Sequence, residues 1–245
     1  MSGWLVSIQL KNGAFQGGRL DKPLGPMIFD TGQVLKGLVR AYIETKDDKY
    51  FNAAVKAGDF LCKTQDRDGA WTKFTFNSVF HTYHTRVAWA LLELFLITGD
   101  SKYKESACRD IKFALSKQKD NGWFKNCAFR LHSNPFTHTI AYTVRGLLES
   151  GVLLHNQNYV DAAIKTADVL CNLFGHQEYL AGSYDENWKS KDRYSCLTGD
   201  AQISVIWFRV FEITEKSGYL FSAKKLNTYS KATQNIHACN KTIKG

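Results

Sequence analysis

The sequence predicts an all-helical repeat protein: about four α-hairpins side by side, with apolar helices in an inner layer and amphipathic helices in an outer one. Three observations predict it. A helical motif recurs at a regular step, an apolar helical stretch precedes each copy, and a glycine turn follows. Proline is also scarce, three in 245 residues, as long helices require.

The motif reads YFNAAVKAGDFLC from Tyr50 and YVDAAIKTADVLC from Tyr159, with YKESACRDIKFAL from Tyr103 between them and a weaker YLFSAKKL from Tyr219. The step is about 55 residues, enough for one helical hairpin and its connections. In the first copy Phe51, Ala54, Val55, Gly58, Leu61 and Cys62 share one face at helical spacing, while Asn52, Lys56, Asp59 and Lys63 share the other. A helix with one wet side belongs outside. The stretches before the motif, 34–43, 87–97, 140–148 and 203–213, are apolar almost all round and belong inside.

The turns after the outer helices read QLKNGAF from Gln9, QDRDGAW from Gln65 and QKDNGWF from Gln118, with a degenerate LAGSYDENW from Leu180. Asp or Asn followed by Gly ends a helix on a residue free to take positive φ, and the next aromatic ring packs back on the hairpin. An inner ring wrapped by an outer one is an α/α toroid, or an open arc of one. Residues 1–245 are expected to form one such domain, opening in mid-repeat, because the copy at Trp4 holds only the tail of its outer helix and the turn. Either the ring is incomplete or repeats are missing ahead of it. An open arc exposes apolar inner surface, which predicts self-association or a partner there.

Lys and Arg outnumber Asp and Glu by 32 to 23, a net charge of +9 that favours acidic partners. The basic residues are scattered along helix faces, so nucleic acid is not expected. The longest apolar run, Val87 to Ile97, is interrupted by Glu93 and is too short to span a membrane. Six cysteines form no CxxC pair, and with no signal-peptide pattern at the start the expected location is the cytoplasm.

At these residues the chain resembles the α/α-toroid superfamily. The Q-x-x-[DN]-G-[AW]-[FW] turn is similar to the repeat of terpenoid cyclases and prenyltransferase β-subunits. The hairpins are similar to those of six-hairpin glycosidases and toroidal polysaccharide lyases. The strings FDTGQVLKGL, HTYHTRVAWALLEL, THTIAYTVRGLLESG and CLTGDAQ resemble a family of toroid proteins associated with polysaccharide-biosynthesis genes. This resemblance spans nearly the whole chain and implies the fold more strongly than the reaction. The DxDD acid motif, an aspartate-rich prenyl diphosphate motif and the Cys-His zinc pattern of lantibiotic cyclases are all absent, which argues against those chemistries.

The four inner-helix starts are polar and recur in place: FDTGQ from Phe29, HTYHTR from His81, THTIAY from Thr137 and CLTGDAQ from Cys196. Helix N-termini carry free amides and favour anions. Capping explains Asp30, Thr31, Thr137, Thr139, Thr198 and Asp200, but His, Tyr and Arg are not caps. Asn77, His81, Tyr83, His84 and Arg86 form the richest cluster. Arg86 can pair a carboxylate, and a His or Tyr can move a proton. The resemblance to toroidal lyases implies β-elimination beside a uronate, and an epimerase would need the same groups. His138 and Tyr142 are expected to face this cluster, with Gln33 and Gln202 on the same rim. Asp30, Asp185, Glu186 and Asp200 offer acid/base hydrolysis instead, with Trp188 stacking on a sugar. His81, His84, His132, His138 and Cys196 match no tight metal motif, so no metal or cofactor is expected. Glu93 and Glu149 read as polar contacts between inner helices. The leading expectation is a carbohydrate-active protein that takes an acidic polysaccharide or oligosaccharide into a central cavity, by lyase, epimerase or hydrolase chemistry. A non-catalytic glycan- or protein-binding scaffold and a terpenoid cyclase-like enzyme are the alternatives.

Overall fold

The computed structural model describes residues 2–19, 21–177, 179–235, 237 and 239–240. A helical stub, α1 (Ser2–Ser7), leads to a β-hairpin of β1 (Gln16–Arg19) and β2 (Lys22–Pro26). Among the described residues eight α-helices follow in pairs: α2 (Ile28–Thr45) with α3 (Asp48–Thr64), α4 (Thr85–Thr98) with α5 (Ser101–Leu115), α6 (Thr137–Leu153) with α7 (Gln157–Gln177), and α8 (Leu197–Thr214) with α9 (Ser217–Ala232). Each pair is an antiparallel hairpin. The inner helices pack in order, α2 on α4, α4 on α6 and α6 on α8. Among the described residues α8 and α2 are not a packed pair of this kind, so the inner layer is an arc.

The glycine turns work as a lock between hairpins. Gln65 Nε2 donates to the carbonyl of Gly69 in its own turn (2.8 Å) and to that of Ser106 on the next outer helix (2.9 Å). Gln9 does the same with Gly13 (2.9 Å) and Ala53 (2.8 Å), and Gln118 reaches Ala162 (2.8 Å). In each turn the Asn or Asp carbonyl or carboxylate oxygen accepts from the backbone two residues on, at 3.1 Å: Asn12, Asp68 and Asn121. Gly69 sits at φ +97 against the backbone of Arg109, where a Cβ would strike the carbonyl. Glycine therefore supplies both the turn and the close approach.

The inner helices cross at glycines too. A Cβ on Gly32 would fall 2.8 Å from Val87 of α4, one on Gly146 2.5 Å from the Thr85 carbonyl oxygen, and one on Gly199 2.7 Å from the His138 nitrogen. Small residues at the crossing points let the inner backbones close up. The core lies between the layers, where Trp71 and Trp207 are fully buried and donate their indole N–H to Leu61 (2.9 Å) and Ala167 (3.1 Å).

Two expectations change. The inner helices start earlier than their apolar stretches, and their first residues are not side-chain capped: Met27, His84, Phe136 and Cys196 make no capping bond. Loop carbonyls serve instead, with Phe74 accepting from Ile28 N–H (2.8 Å) and Gly182 from Thr137 N–H (2.9 Å). Asp30 and Thr31 lie inside the first turn of α2. The β-hairpin is the second change, a short sheet that arches over the start of α2. Among the described residues no helix is long and apolar enough to cross a membrane.

Candidate active site

The inner helices begin at one end of the arc, and their first turns build a cluster of rings. Phe29 of α2 lies edge-on to Tyr83, with centroids 5.4 Å apart, and 5.0 Å from Tyr142 of α6. Tyr142 meets His138 at 5.4 Å, and Phe129 of the preceding loop touches both Tyr83 (5.8 Å) and His138 (5.3 Å). The thiol of Cys196 sits 3.5 Å from His138 Nδ1. The β-hairpin roofs this end. Gly17, Leu24, Phe29, Asp30, Tyr83, His84 and Phe129 line a cavity of about 230 Å³. A Cβ on Gly17 would lie 3.3 Å from Asp30 Oδ2 and would overlap the Met27 side chain, so the strand passes close above the carboxyl.

Electrostatics at this end follow from burial. Burial raises the Asp30 carboxyl above its ordinary value, offset in part by its own backbone N–H. Tyr83 is buried, and its phenol is pushed far above its usual range, chiefly by burial, with Cys127, Asp30 and Tyr142 adding to it. Burial thus favours the protonated phenol of Tyr83. Burial lowers His138, which keeps its imidazole neutral near pH 7.

One turn further along the inner helices stands Arg86. Its Nε donates to Gln33 Oε1 (3.1 Å) across to α2, and its Nη1 donates to Gln202 Oε1 (3.2 Å) on α8. The guanidinium carbon lies 4.8 Å from the centre of the Tyr142 ring. Burial, the largest influence, and Arg145 lower its pKa while Tyr142 raises it; no carboxylate figures among them. Two glutamines thus hold a mostly buried cation that has no carboxylate counterion among the described residues.

Other predicted site residues have structural work. His81 is buried with Nδ1 3.0 Å from the Ala128 carbonyl and Nε2 2.8 Å from that of Phe76, so each ring nitrogen faces a backbone carbonyl and the neutral ring donates to one of the two. His84 is enclosed edge-on to Trp71, and burial, with His81, holds it neutral. Asn77 is exposed and donates to the Phe129 carbonyl (3.0 Å), tying a loop. Asp200 is buried, with Ser195 Oγ 2.6 Å from its carboxyl. Asp185 and Glu186 border a separate cleft of about 440 Å³ with Phe80, Trp123, Lys125 and Arg130. Asp185 Oδ1 accepts from the backbone of Asn187 (2.9 Å) and Lys189 (2.8 Å), and Glu186 pairs with Lys119. Trp188 is buried with its indole donating to the Asn121 carbonyl (2.9 Å). Among the described residues no group of three or more His, Cys, Asp or Glu is placed to hold a metal.

Sequence reasoning passed over Phe29, Phe129, Lys36, Trp89 and Arg145. The available signal was spacing: Gln33 and Lys36, Arg86 and Trp89, and Tyr142 and Arg145 each sit three residues apart and share one helix face.

Paired helices in two layers around a polar-mouthed hollow define the class, an α/α toroid. Solved structures agree on the fold. A D-mannose isomerase superposes with TM-score 0.75 at 15% identity, over 94% of this chain and 69% of its own. Cellobiose 2-epimerase from Spirochaeta thermophila gives 0.80 at 12%, over 96% and 67%. Unsaturated glucuronyl hydrolase from Bacillus sp. GL1 gives 0.71 at 13%, over 88% and 64%. The chain thus spans about two thirds of the length of these structures. Among curated proteins no sequence matches. The chain belongs to the family of β-L-arabinofuranosidase GH127 catalytic domains, whose model matches residues 3–195.

Proposed function

We propose that the chain is a carbohydrate-active enzyme that takes an acidic oligosaccharide into the hollow, holds a sugar carboxylate on Arg86, and hydrolyses a glycosidic bond: Asp30 gives its proton to the leaving oxygen, water adds to the anomeric carbon, and the proton that water releases restores Asp30. The single observation that carries this is Arg86: a guanidinium aimed by Gln33 and Gln202, stacked on Tyr142 and without a carboxylate of its own. A buried cation left in that state favours an anionic ligand. The family description, a β-L-arabinofuranosidase catalytic domain, supports a glycosidase. So does the raised pKa of Asp30, because a carboxyl must keep its proton to give it to a leaving oxygen.

A second reading rests on His138, a neutral, half-buried imidazole next to Tyr142. It can abstract a proton α to the carboxylate, as a lyase or an epimerase does. The products separate the two readings. The purified chain is incubated with uronate-terminated oligosaccharides and with an aryl β-L-arabinofuranoside. Hydrolysis gives new reducing ends; elimination gives an unsaturated product that absorbs in the ultraviolet. Arg86→Met should cut kcat/KM on the acidic substrate about 100-fold, the worth of a lost charge-assisted pair. Equal turnover by Arg86→Met and wild type, or turnover of neutral sugars alone, refutes the carboxylate role. Saturable binding without turnover identifies a scaffold.

A further inference from the structure

The hollow is layered. Gln33, Arg86, Tyr142 and Gln202 form one layer; three residues further along each inner helix stand Lys36, Trp89, Arg145 and Val205. The axial step between layers is about 4.5 Å. In the second layer Lys36 Nζ lies 2.6 Å from the centre of the Trp89 ring, and the Arg145 guanidinium lies 5.6 Å from it. Together with Arg86 and Gln202 these residues line a pocket of about 370 Å³ that, among the described residues, holds three cations and no acid. The carboxylates that answer them lie one turn deeper. Glu93 is 3.9 Å from Lys36, and Glu149 is 2.8 Å from Arg145 but is shared with Arg209 at 3.3 Å.

We infer that this second layer is a second anion subsite, in which Lys36 and Arg145 take an acidic group on the sugar next to the one held by Arg86, so that the ligand carries acidic groups on successive residues. This rests on the reading of the hollow as a sugar site. Three cations converge on one pocket, and a bound anion relieves their mutual repulsion. The pKa of Lys36 is pushed down to about 8, chiefly by burial; Glu93 opposes this most, Arg86 and Arg145 add to it, and Glu149 opposes. When Lys36 turns to the anion it uncovers the Trp89 face, which can then stack on the sugar ring.

Two measurements on the full chain test this. The first is calorimetric binding of two uronate-terminated oligosaccharides of equal length, whose second residue is acidic in one and neutral in the other. Wild type should prefer the doubly acidic ligand by about tenfold, and Lys36→Met and Arg145→Met should each remove most of that preference. Arg86→Met should weaken both ligands alike. The second reads Trp89 fluorescence during titration with inorganic sulfate, with Trp89→Phe assigning the signal and Lys36→Gln as a milder variant. A response to sulfate that Lys36→Gln weakens supports the subsite even if neither oligosaccharide binds, in which case the sugar reading alone fails. A preference unchanged in Lys36→Met and Arg145→Met, or a Trp89 signal that ignores sulfate while the oligosaccharides also show no preference, overturns the inference.

Discussion

Asp200 makes a quantitative test of the buried electrostatics. Its carboxyl is fully enclosed in the first turn of α8, with Oδ2 2.6 Å from Ser195 Oγ, and that hydroxyl is also 2.7 Å from the Leu180 carbonyl. A serine has one proton. If Ser195 donates to Leu180, the carboxyl must donate to Ser195, and the chain of bonds closes only while Asp200 is protonated. On ionisation the serine proton turns to Asp200, which lowers the pKa, and Leu180 loses its donor. Burial dominates and pushes the carboxyl from 3.8 to about 6. A folded-state pKa above the unfolded one means that the folded chain holds the proton longer. The associated stability is complete below about pH 3.8 and is lost as pH rises through about 6, in total about 3 kcal/mol. Asp200→Asn mimics the protonated form and cannot ionise. Urea unfolding of both proteins from about pH 4 to pH 8 should show the variant gaining on wild type by up to about 3 kcal/mol as pH rises. Titrations of His84 or Asp110, common to both proteins, cancel in the difference. A constant offset between the two, or a variant that loses ground at high pH, refutes the argument.

Gly146→Ala should lower the urea midpoint by the equivalent of about 3 kcal/mol, because its methyl meets the Thr85 backbone, whereas Gly37→Ala, exposed with nothing within 4 Å, should raise it by about 1 kcal/mol. Gln65→Ala should cost about 2 kcal/mol in the same assay, since the Gly69 and Ser106 carbonyls both lose a donor. Asp30→Asn should cut kcat at least about 100-fold while leaving the thermal midpoint near that of wild type, and the wild-type rate should fall on the alkaline side as the raised carboxyl ionises.

The hairpin repeat was legible because helical periodicity and turn chemistry are local. Gln65, Asp68 and Gly69 do in the structure what their residue types permit, as do Gln9, Asn12 and Gly13. The β-hairpin at 16–26 was not, because Gly17, Gly18, Pro23 and Gly25 carry no alternating pattern. At the site, residue type located Asp30, Arg86, His138 and Tyr142 on the inner-helix starts but did not reveal which polar atoms were already bonded. Residue type at His81 and Trp188 does not reveal that the carbonyls of Ala128, Phe76 and Asn121 lie against their ring nitrogens. Lys36 and Arg145 look like stray charges on apolar helices. Only the curvature of the arc shows that they converge, since it brings Arg86 of α4 within reach of Gln202 on α8.

The glutamine locks have a consequence for how the arc comes apart. Gln9 ties the turn after α1 to the first hairpin, Gln65 ties the first hairpin to the second and Gln118 the second to the third, so these three hairpins do not separate without releasing a neighbour's carbonyl. Coupling of that kind makes adjacent units melt together instead of peeling away singly. It also preserves the alignment of Lys36, Arg86 and Arg145, three side chains from three different hairpins, under conditions that would let independent hairpins swing apart.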